Sequence, residues 1–445
     1  MSKRVVIIGG DAAGMSAASQ ARRQDPNLEI IALEKGRWTS YAACGIPYHV
    51  SGAISDVEDL VARTPQEFRT KQRIDVRMEH EAMSIDTDRG VVEVRSHEHE
   101  RTFELGYDEL VIATGAAPIR PPLPGINGDN IYSVQTLADA SALFDRAEAG
   151  NLRNVVVVGA GYIGLEMAEA FLERGAKVTV VDAAAQVMST LDADMAELVA
   201  TYMRDVGVNL RLGLPVEGFE QNAVLTPDGP IKADLIVLGI GVAPNTKLAS
   251  EAGIELGPKS AIAVDRQQRT KTDGVWSAGD CATSFHQVME RPVHIALGTV
   301  ANKQGRIAGV NIGGGYAAFP GVLGTAITKV CDLEVARSGL NEAEATEAGY
   351  QYAAVTVETN TLAHYYPTNE SMTIKMLAER GSGRLLGAQI VGRKGAGKRI
   401  DIVATALTAR MTVAEVMELD LAYAPPFSPV WEPIATAARV AAGRV

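Results

Sequence analysis

Two stretches of the chain are apolar without a break. Val5-Val6-Ile7-Ile8 opens it, and Val155-Val156-Val157-Val158 recurs about a third of the way along. A strand buried on both faces reads as a continuous β-branched run, whereas a half-exposed strand alternates. Each run leads into glycines and then an Ala-rich helical stretch: Gly9-Gly10-Asp11-Ala12-Ala13-Gly14 in the first, Gly159-Ala160-Gly161-Tyr162-Ile163-Gly164 in the second. The runs Leu28–Leu33, Lys177–Val181, Leu110–Ala113 and Leu235–Leu238 predict further buried parallel strands. From about residue 320 the texture changes. Thr373–Leu377 and Leu385–Val391 read as antiparallel strands, followed by helical runs over Ile400–Arg410 and Val413–Glu418. The stretch Leu421-Ala422-Tyr423-Ala424-Pro425-Pro426-Phe427-Ser428-Pro429 is a proline-stiffened loop that fits neither helix nor central strand. The pattern predicts an α/β chain with two parallel-sheet units and a third, α+β unit.

A glycine turn feeding a helix points backbone N–H groups and the positive helix end at one spot, which suits a pyrophosphate. Each unit also ends its second strand in an acid, Glu34 in one and Asp182 in the other. Roughly 20 residues past the glycines is where a carboxylate takes the ribose hydroxyls of an adenine dinucleotide. One such fingerprint is weak; two, each with strand, helix and terminal acid, are specific. Asp11 replaces the middle glycine of the first turn, so its side chain is expected to point away from the anion. After Asp182 comes Ala183-Ala184-Ala185-Gln186, with no basic residue for a 2′-phosphate; this favours NADH, with NADPH as the alternative. Ala113-Thr114-Gly115 and Gly239-Ile240-Gly241 end buried strands in tight turns. Ala278-Gly279-Asp280 places an acid where a polyol hydroxyl can be held.

Composition narrows the field. The net charge of −12 argues against a nucleic-acid partner. The opening Lys3-Arg4 and apolar run mimic a secretory leader, but the run is too short and glycines break it, so it reads as a first strand. No apolar run reaches the roughly 18 residues of a membrane span. Three cysteines exclude a disulfide framework and suit a reducing cytoplasm. Cys281 and Cys331 read as small packed residues, the first at the start of a helix and the second in a strand. His97 and His99 read as a solvated hairpin and no metal is expected.

Cys44 stands alone in Ser40-Tyr41-Ala42-Ala43-Cys44-Gly45-Ile46-Pro47-Tyr48. A lone thiol cannot store two electrons as an internal disulfide; it must become a sulfenic acid or a mixed disulfide. On these segments, together with Leu297–Arg306 and Ala422-Tyr423-Ala424-Pro425-Pro426, the whole chain resembles the single-cysteine FAD-dependent pyridine nucleotide-disulfide oxidoreductases, most of all coenzyme A disulfide reductase.

The resemblance implies two Rossmann-like domains of glutathione-reductase type plus a C-terminal dimerisation domain. FAD would occupy 1–115 and 245–318, NAD(P)H 116–244, and dimerisation would use 319–445. It implies FAD held by Gly9, Gly10, Ala13, Gly14, Glu34, Lys35, Ala82, Thr114, Gly115, Gly279, Asp280, Gly298 and Thr299. NADH would be held by Gly159, Gly161, Tyr162, Ile163, Gly164, Asp182 and Gly241, with Tyr162 as an aromatic gate over the flavin. Cys44 would be the redox centre, faced by Tyr423 and Tyr365 from the other subunit of a homodimer, with Tyr366 the less favoured neighbour of Tyr365 and His364 a further candidate. A small CoA-like thiol or disulfide would lie along Ser16, Gln20, Arg23, Ser40, Lys71 and Asn302. Arg22 and Arg23 are adjacent, so one of them is expected to be a solvated charge. Ala43 stands where many relatives have Asn, and Val430 and Trp431 where a basic residue often follows. The flavin and a nearby helix N-terminus are expected to lower the Cys44 pKa. Two other readings keep the fold: an NADH oxidase or peroxidase cycling Cys44 through sulfenic acid, and a slow flavin redox sensor or electron-transfer protein.

Overall fold

A computed structural model describes residues 2–445. The first apolar run becomes the centre of a five-stranded parallel sheet, in the order Val275–Ser277, Glu109–Ile112, Arg4–Ile8, Glu29–Leu33, Asp75–Arg77. Val5, Val6 and Ile7 are wholly buried because sheet neighbours and packing layers enclose them on every side. A three-stranded antiparallel sheet over His80–Asp86, Val91–Ser96 and Arg101–Gly106 is inserted before the chain returns to the parallel sheet.

The second run repeats the design. Asn154–Val158 is central in the parallel order Asn209–Leu212, Lys177–Asp182, Asn154–Val158, Leu235–Leu238, Ile131–Ser133. An antiparallel two-stranded ribbon, Ala116–Pro118 against Val242–Pro244, carries the chain out of the first unit and back. Past Ala326 the predicted alternation folds as a five-stranded sheet ordered Ala326–Val330, Leu333–Gly339, Leu385–Gly392, Ser371–Glu379, Tyr352–Asn360, all antiparallel. Helices Ile400–Thr408, Val413–Met417 and Pro433–Ala442 cover it. No helix among the described residues is long and apolar enough to cross a membrane.

One helix pair fixes the first unit. Helix Ala12–Gln24 lies against helix Gly298–Ile312 so closely that a Cβ on Gly305 would sit 2.1 Å from the Ala13 carbonyl oxygen. On Gly309 it would sit 2.4 Å from that of Ala17. Glycine at four-residue spacing is therefore required by close approach.

Two placements differ from the sequence reading. Cys281 starts no helix: it is fully buried in the turn after Ser277, with its Sγ toward the Ile112 and Ala278 carbonyls. Cys331 is at a hairpin tip with φ of 50°, not within a strand, since Val330 and Leu333 pair across it.

Candidate active site

The two glycine turns are built alike. Gly9 and Gly159 have φ of 110° and 107°, a region that favours glycine. A Cβ on Gly14 would meet the Gly9 carbonyl oxygen at 1.9 Å, and one on Gly164 that of Gly159 at 2.0 Å. Each helix thereby starts hard against its strand, leaving its first amides free for an anion. The terminal acids close the turns in the same way. Glu34 accepts the amides of Gly10 (2.9 Å) and Gly36 (2.7 Å). Asp182 accepts those of Ala160 (2.7 Å) and Ala184 (2.8 Å). A carboxylate has about four acceptor positions, so each acid retains capacity for ribose hydroxyls.

Asp11 turns toward the cysteine segment, where its Oδ1 accepts the Tyr41 amide at 3.1 Å. Burial, with Glu34 and Asp280 nearby, pushes its carboxyl up to about 6 despite amide hydrogen bonds that pull the other way.

Asp280 supplies the test of fit for a flavin nucleotide. Its Oδ1 is buried and has no hydrogen-bond partner, and burial raises its pKa. Such an orphaned acceptor is costly unless a ligand hydroxyl completes it. The backbone around it is set for close approach: Gly279 has φ of 86° and its Cβ would lie 2.8 Å from that of Ala13. Thr114 and Gly115 are tied to Asn245, the Thr114 hydroxyl donating to its carbonyl at 2.6 Å. Gly298 and Thr299 open the facing helix and are exposed. Ala82 is half-buried at a bulge of the inserted sheet, and Lys35 is exposed. In the second turn, Gly161 caps the helix with open space where a Cβ would be, Ile163 is half-buried, and Gly241 has φ of 100°.

Cys44 lies in a single turn, Ala43–Gly45, that runs straight into helix Ile46–Ser51. It is the exposed member of three free cysteines. The sequence reading has its pKa lowered; in the protein alone it is raised, first by burial of the thiol and then by Glu166 and Asp280. The helix that follows, from Ile46, is only six residues long.

Tyr423 and Tyr365 sit together at the far end of the chain, Tyr365 hydrogen-bonded to Tyr423 and raising its pKa. Both are exposed, Tyr366 is half-buried, and His364 packs edge-on against Tyr365 with ring centroids 5.3 Å apart. Phe427, Val430 and Trp431 extend this exposed apolar surface. Trp431 carries a cation after all, since the Arg439 guanidinium lies 4.9 Å over its ring.

Ser16, Gln20 and Arg23 share one face of the first helix by their spacing. Ser16 donates to Asn302 at 2.8 Å, and Arg23 donates to Gln20 at 3.0 Å. The strip leads into a cavity of about 640 Å³ lined by Arg22, Arg23, Arg63, Lys71 and Arg73 with Glu67. Lys71 is already paired with Glu67 at 2.8 Å. Arg22 is not a solvated charge: it donates to the carbonyls of Gln72, Pro26 and Arg73 and so braces the cavity wall. Ser40 has φ of 52°, and its amide donates to the Gly10 carbonyl.

Two side chains matter that the sequence reading passes over. Gln304, fully buried, accepts the Gly279 amide at 2.8 Å and donates to Thr283 and Ser284, holding the turn that carries Asp280. Glu166 is held by the Thr328 hydroxyl at 2.7 Å and acts electrostatically on Cys44. A buried polar residue in a helix leaves no period in a sequence, so neither stood out. His97 pairs with Glu81 at 3.0 Å, and no group of three or more metal-ligating side chains exists among the described residues.

Comparison with known proteins agrees with this architecture. Residues 3–305 match the family described as pyridine nucleotide-disulphide oxidoreductase, and residues 325–434 match its dimerisation domain. The chain is 40% identical to the NAD(P)H sulfur oxidoreductase (CoA-dependent) of Pyrococcus furiosus, covering 98% of this chain and 99% of that protein. It is 31% identical to a coenzyme A disulfide reductase of Staphylococcus aureus, covering 96% of each. The crystal structure of reduced Bacillus anthracis CoADR-RHD superposes with a TM-score of 0.97 at 34% identity, covering all of this chain (100%) and 80% of that one. The two parallel-sheet units and the C-terminal antiparallel sheet that follows them thus fall within the two matched regions, and the chain belongs to the pyridine nucleotide-disulphide oxidoreductases.

Proposed function

We propose that this protein uses NAD(P)H, with NADH preferred, to reduce coenzyme A disulfide or a related low-molecular-weight disulfide or persulfide through Cys44. The observation that carries the reading is the solitude of that thiol. It is exposed while Cys281 is sealed in the core and Cys331 sits on a hairpin of the third unit, so its redox partner comes from outside the chain. The polar strip of Ser16, Gln20 and Arg23 and the cationic cavity beyond it suit a ligand with a small thiol at one end and phosphates at the other. The names of the relatives fit the same reading.

Residues 1–115 and 245–318 hold FAD, 116–244 hold NAD(P)H, and 319–445 form the dimer. FAD, when bound, would supply the chemistry that accepts a hydride from NADH and passes the electron pair on to sulfur. The first glycine turn, Glu34 and the unsatisfied Asp280 orient it.

Cys44 thiolate attacks one sulfur of the substrate; the sulfur–sulfur bond breaks and one half leaves as a thiolate that takes a proton. Tyr423 of the partner subunit, paired with Tyr365 of the partner subunit, stands as the donor, since an unperturbed phenol, with a pKa of about 10, lies just above a thiol. The other half stays on Cys44 as a mixed disulfide until two electrons from NADH release it. Per turnover, one disulfide, one NADH and one proton give two thiols and one NAD⁺. The exposed Tyr423, Phe427, Val430 and Trp431 are the surface such a dimer would cover.

The test is Cys44→Ser. It should abolish disulfide reduction while the bound flavin is still bleached by NADH. Retained disulfide turnover would overturn the reading.

A further inference from the structure

A buried polar seam joins the second nucleotide unit to the C-terminal sheet, and nothing in the chemistry above uses it. Lys375, almost fully buried, meets Asp192 (3.3 Å), Asp194 (2.8 Å) and Glu342 (2.7 Å). Buried charges rarely out-stabilise apolar packing, so such a network is better explained by the placement it enforces. What it places is the segment just after the ribose acid Asp182. Met188 donates its amide to Ala160 in the glycine turn at 2.8 Å. Two residues on, the Thr190 carbonyl takes two donors from the third unit, Arg337 at 2.6 Å and Asn341 at 3.2 Å. The Thr190 hydroxyl in turn donates to the Tyr162 hydroxyl at 3.5 Å. The same Arg337 is paired with Glu344 at 2.5 Å, which fixes the guanidinium that holds the Thr190 carbonyl.

We propose that Arg337 and Asn341 are positioning residues for Tyr162: acting through Thr190, they hold the phenol in its resting place and so set how readily NADH gains the flavin. The inference rests on the reading of Tyr162 as the gate that nicotinamide displaces. A ligand that must first move a side chain binds with an affinity reduced by the fraction of time that side chain is in the way. Loosening the resting place therefore tightens apparent NADH binding without changing the chemistry that follows.

The experiment uses the FAD-loaded enzyme and rapid-mixing measurement of flavin reduction against NADH concentration, with flavin fluorescence as a second signal. Thr190→Val removes the hydroxyl contact. Asn341→Ser keeps a good helix cap for the Glu344 amide but is too short to reach Thr190. Each should lower the NADH concentration for half-maximal reduction by about 2- to 10-fold, the range one hydrogen bond spans. The maximal rate should stay the same, flavin fluorescence should rise, and neither variant should have a further effect in a Tyr162→Phe background. A loss of thermal stability with no shift in NADH dependence, or a shift that persists in the Tyr162→Phe background, overturns the proposal. Tyr162→Ala separates the two levels. If it changes NADH dependence while Thr190→Val and Asn341→Ser do not, only this inference fails; if it changes nothing, the gate reading fails with it.

Discussion

Asp11 Oδ1 accepts the amide hydrogen of Tyr41 at 3.1 Å, binding the first glycine turn to the segment that carries Cys44. The residue that breaks the glycine pattern therefore has a use: it anchors the loop that carries Cys44. The arrangement has a cost, because the carboxyl is buried near Glu34 and Asp280 and titrates at about 6 rather than at 3.8. A carboxyl whose folded pKa is raised holds its proton longer folded than unfolded, so its contribution to stability falls as pH rises from about 4 to about 6. Asp11→Asn keeps the acceptor and removes the charge. Thermal unfolding of flavin-free protein should show the variant gaining stability over wild type across that window. The gain should level off above it at up to roughly 3 kcal/mol. A constant difference from pH 4 to 7 would show that Asp11 is not the titrating group.

Asp182 offers a sharper test of the nucleotide. Its two oxygens are held by the Ala160 and Ala184 amides, so the carboxylate is fixed in place before any ligand arrives. Asp182→Ala should raise the KM for NADH roughly 10- to 100-fold, as expected for hydrogen bonds to a charged group. It should also narrow the preference over NADPH, since a 2′-phosphate no longer meets a fixed negative charge. Steady-state kinetics with both nucleotides measures this, and flavin content should be unchanged. An undiminished preference for NADH would place the ribose elsewhere.

The thiol of Cys44 should titrate high in flavin-free protein. Burial and the charges of Glu166 and Asp280 all raise it. The rate of alkylation by iodoacetamide should have its midpoint above the ordinary thiol value of about 8.5. Glu166→Gln removes one of the opposing charges, lowers the midpoint and speeds alkylation at pH 8 by about threefold for each half unit. A midpoint below 8.5 in flavin-free wild type would contradict this electrostatic picture.

The fold was legible where the hydrophobic signal was uninterrupted. Val5–Ile8 and Val155–Val158 are buried on both faces, and Gly9, Gly14, Gly159 and Gly164 after them are each fixed by a carbonyl oxygen 1.9–2.4 Å from where a Cβ would lie. Such constraints leave residue types behind them. The alternation at Thr373–Leu377 also announced its antiparallel sheet. What was not legible depends on tertiary charge. The upward shift at Cys44 comes first from burial of the thiol and then from Glu166 and Asp280, both far off in sequence. The bracing of Arg22 by three carbonyls and the hold of Gln304 on the Asp280 turn involve partners with no local pattern. Cys331 looked like part of a strand because its apolar flanks do pair, on either side of a turn it occupies itself.

If the proposed cycle operates, the solitary Cys44 holds half of an external disulfide during turnover. Intact-mass measurement tests it most directly. Flavin-loaded protein, first reduced with NADH and freed of excess nucleotide, is mixed with one equivalent of coenzyme A disulfide and quenched in acid. One CoA-mass adduct is expected, located on Cys44 by peptide mapping, that disappears when NADH is added again. A Cys44 that stays unmodified while disulfide is consumed, or that gains only a single oxygen, would contradict it.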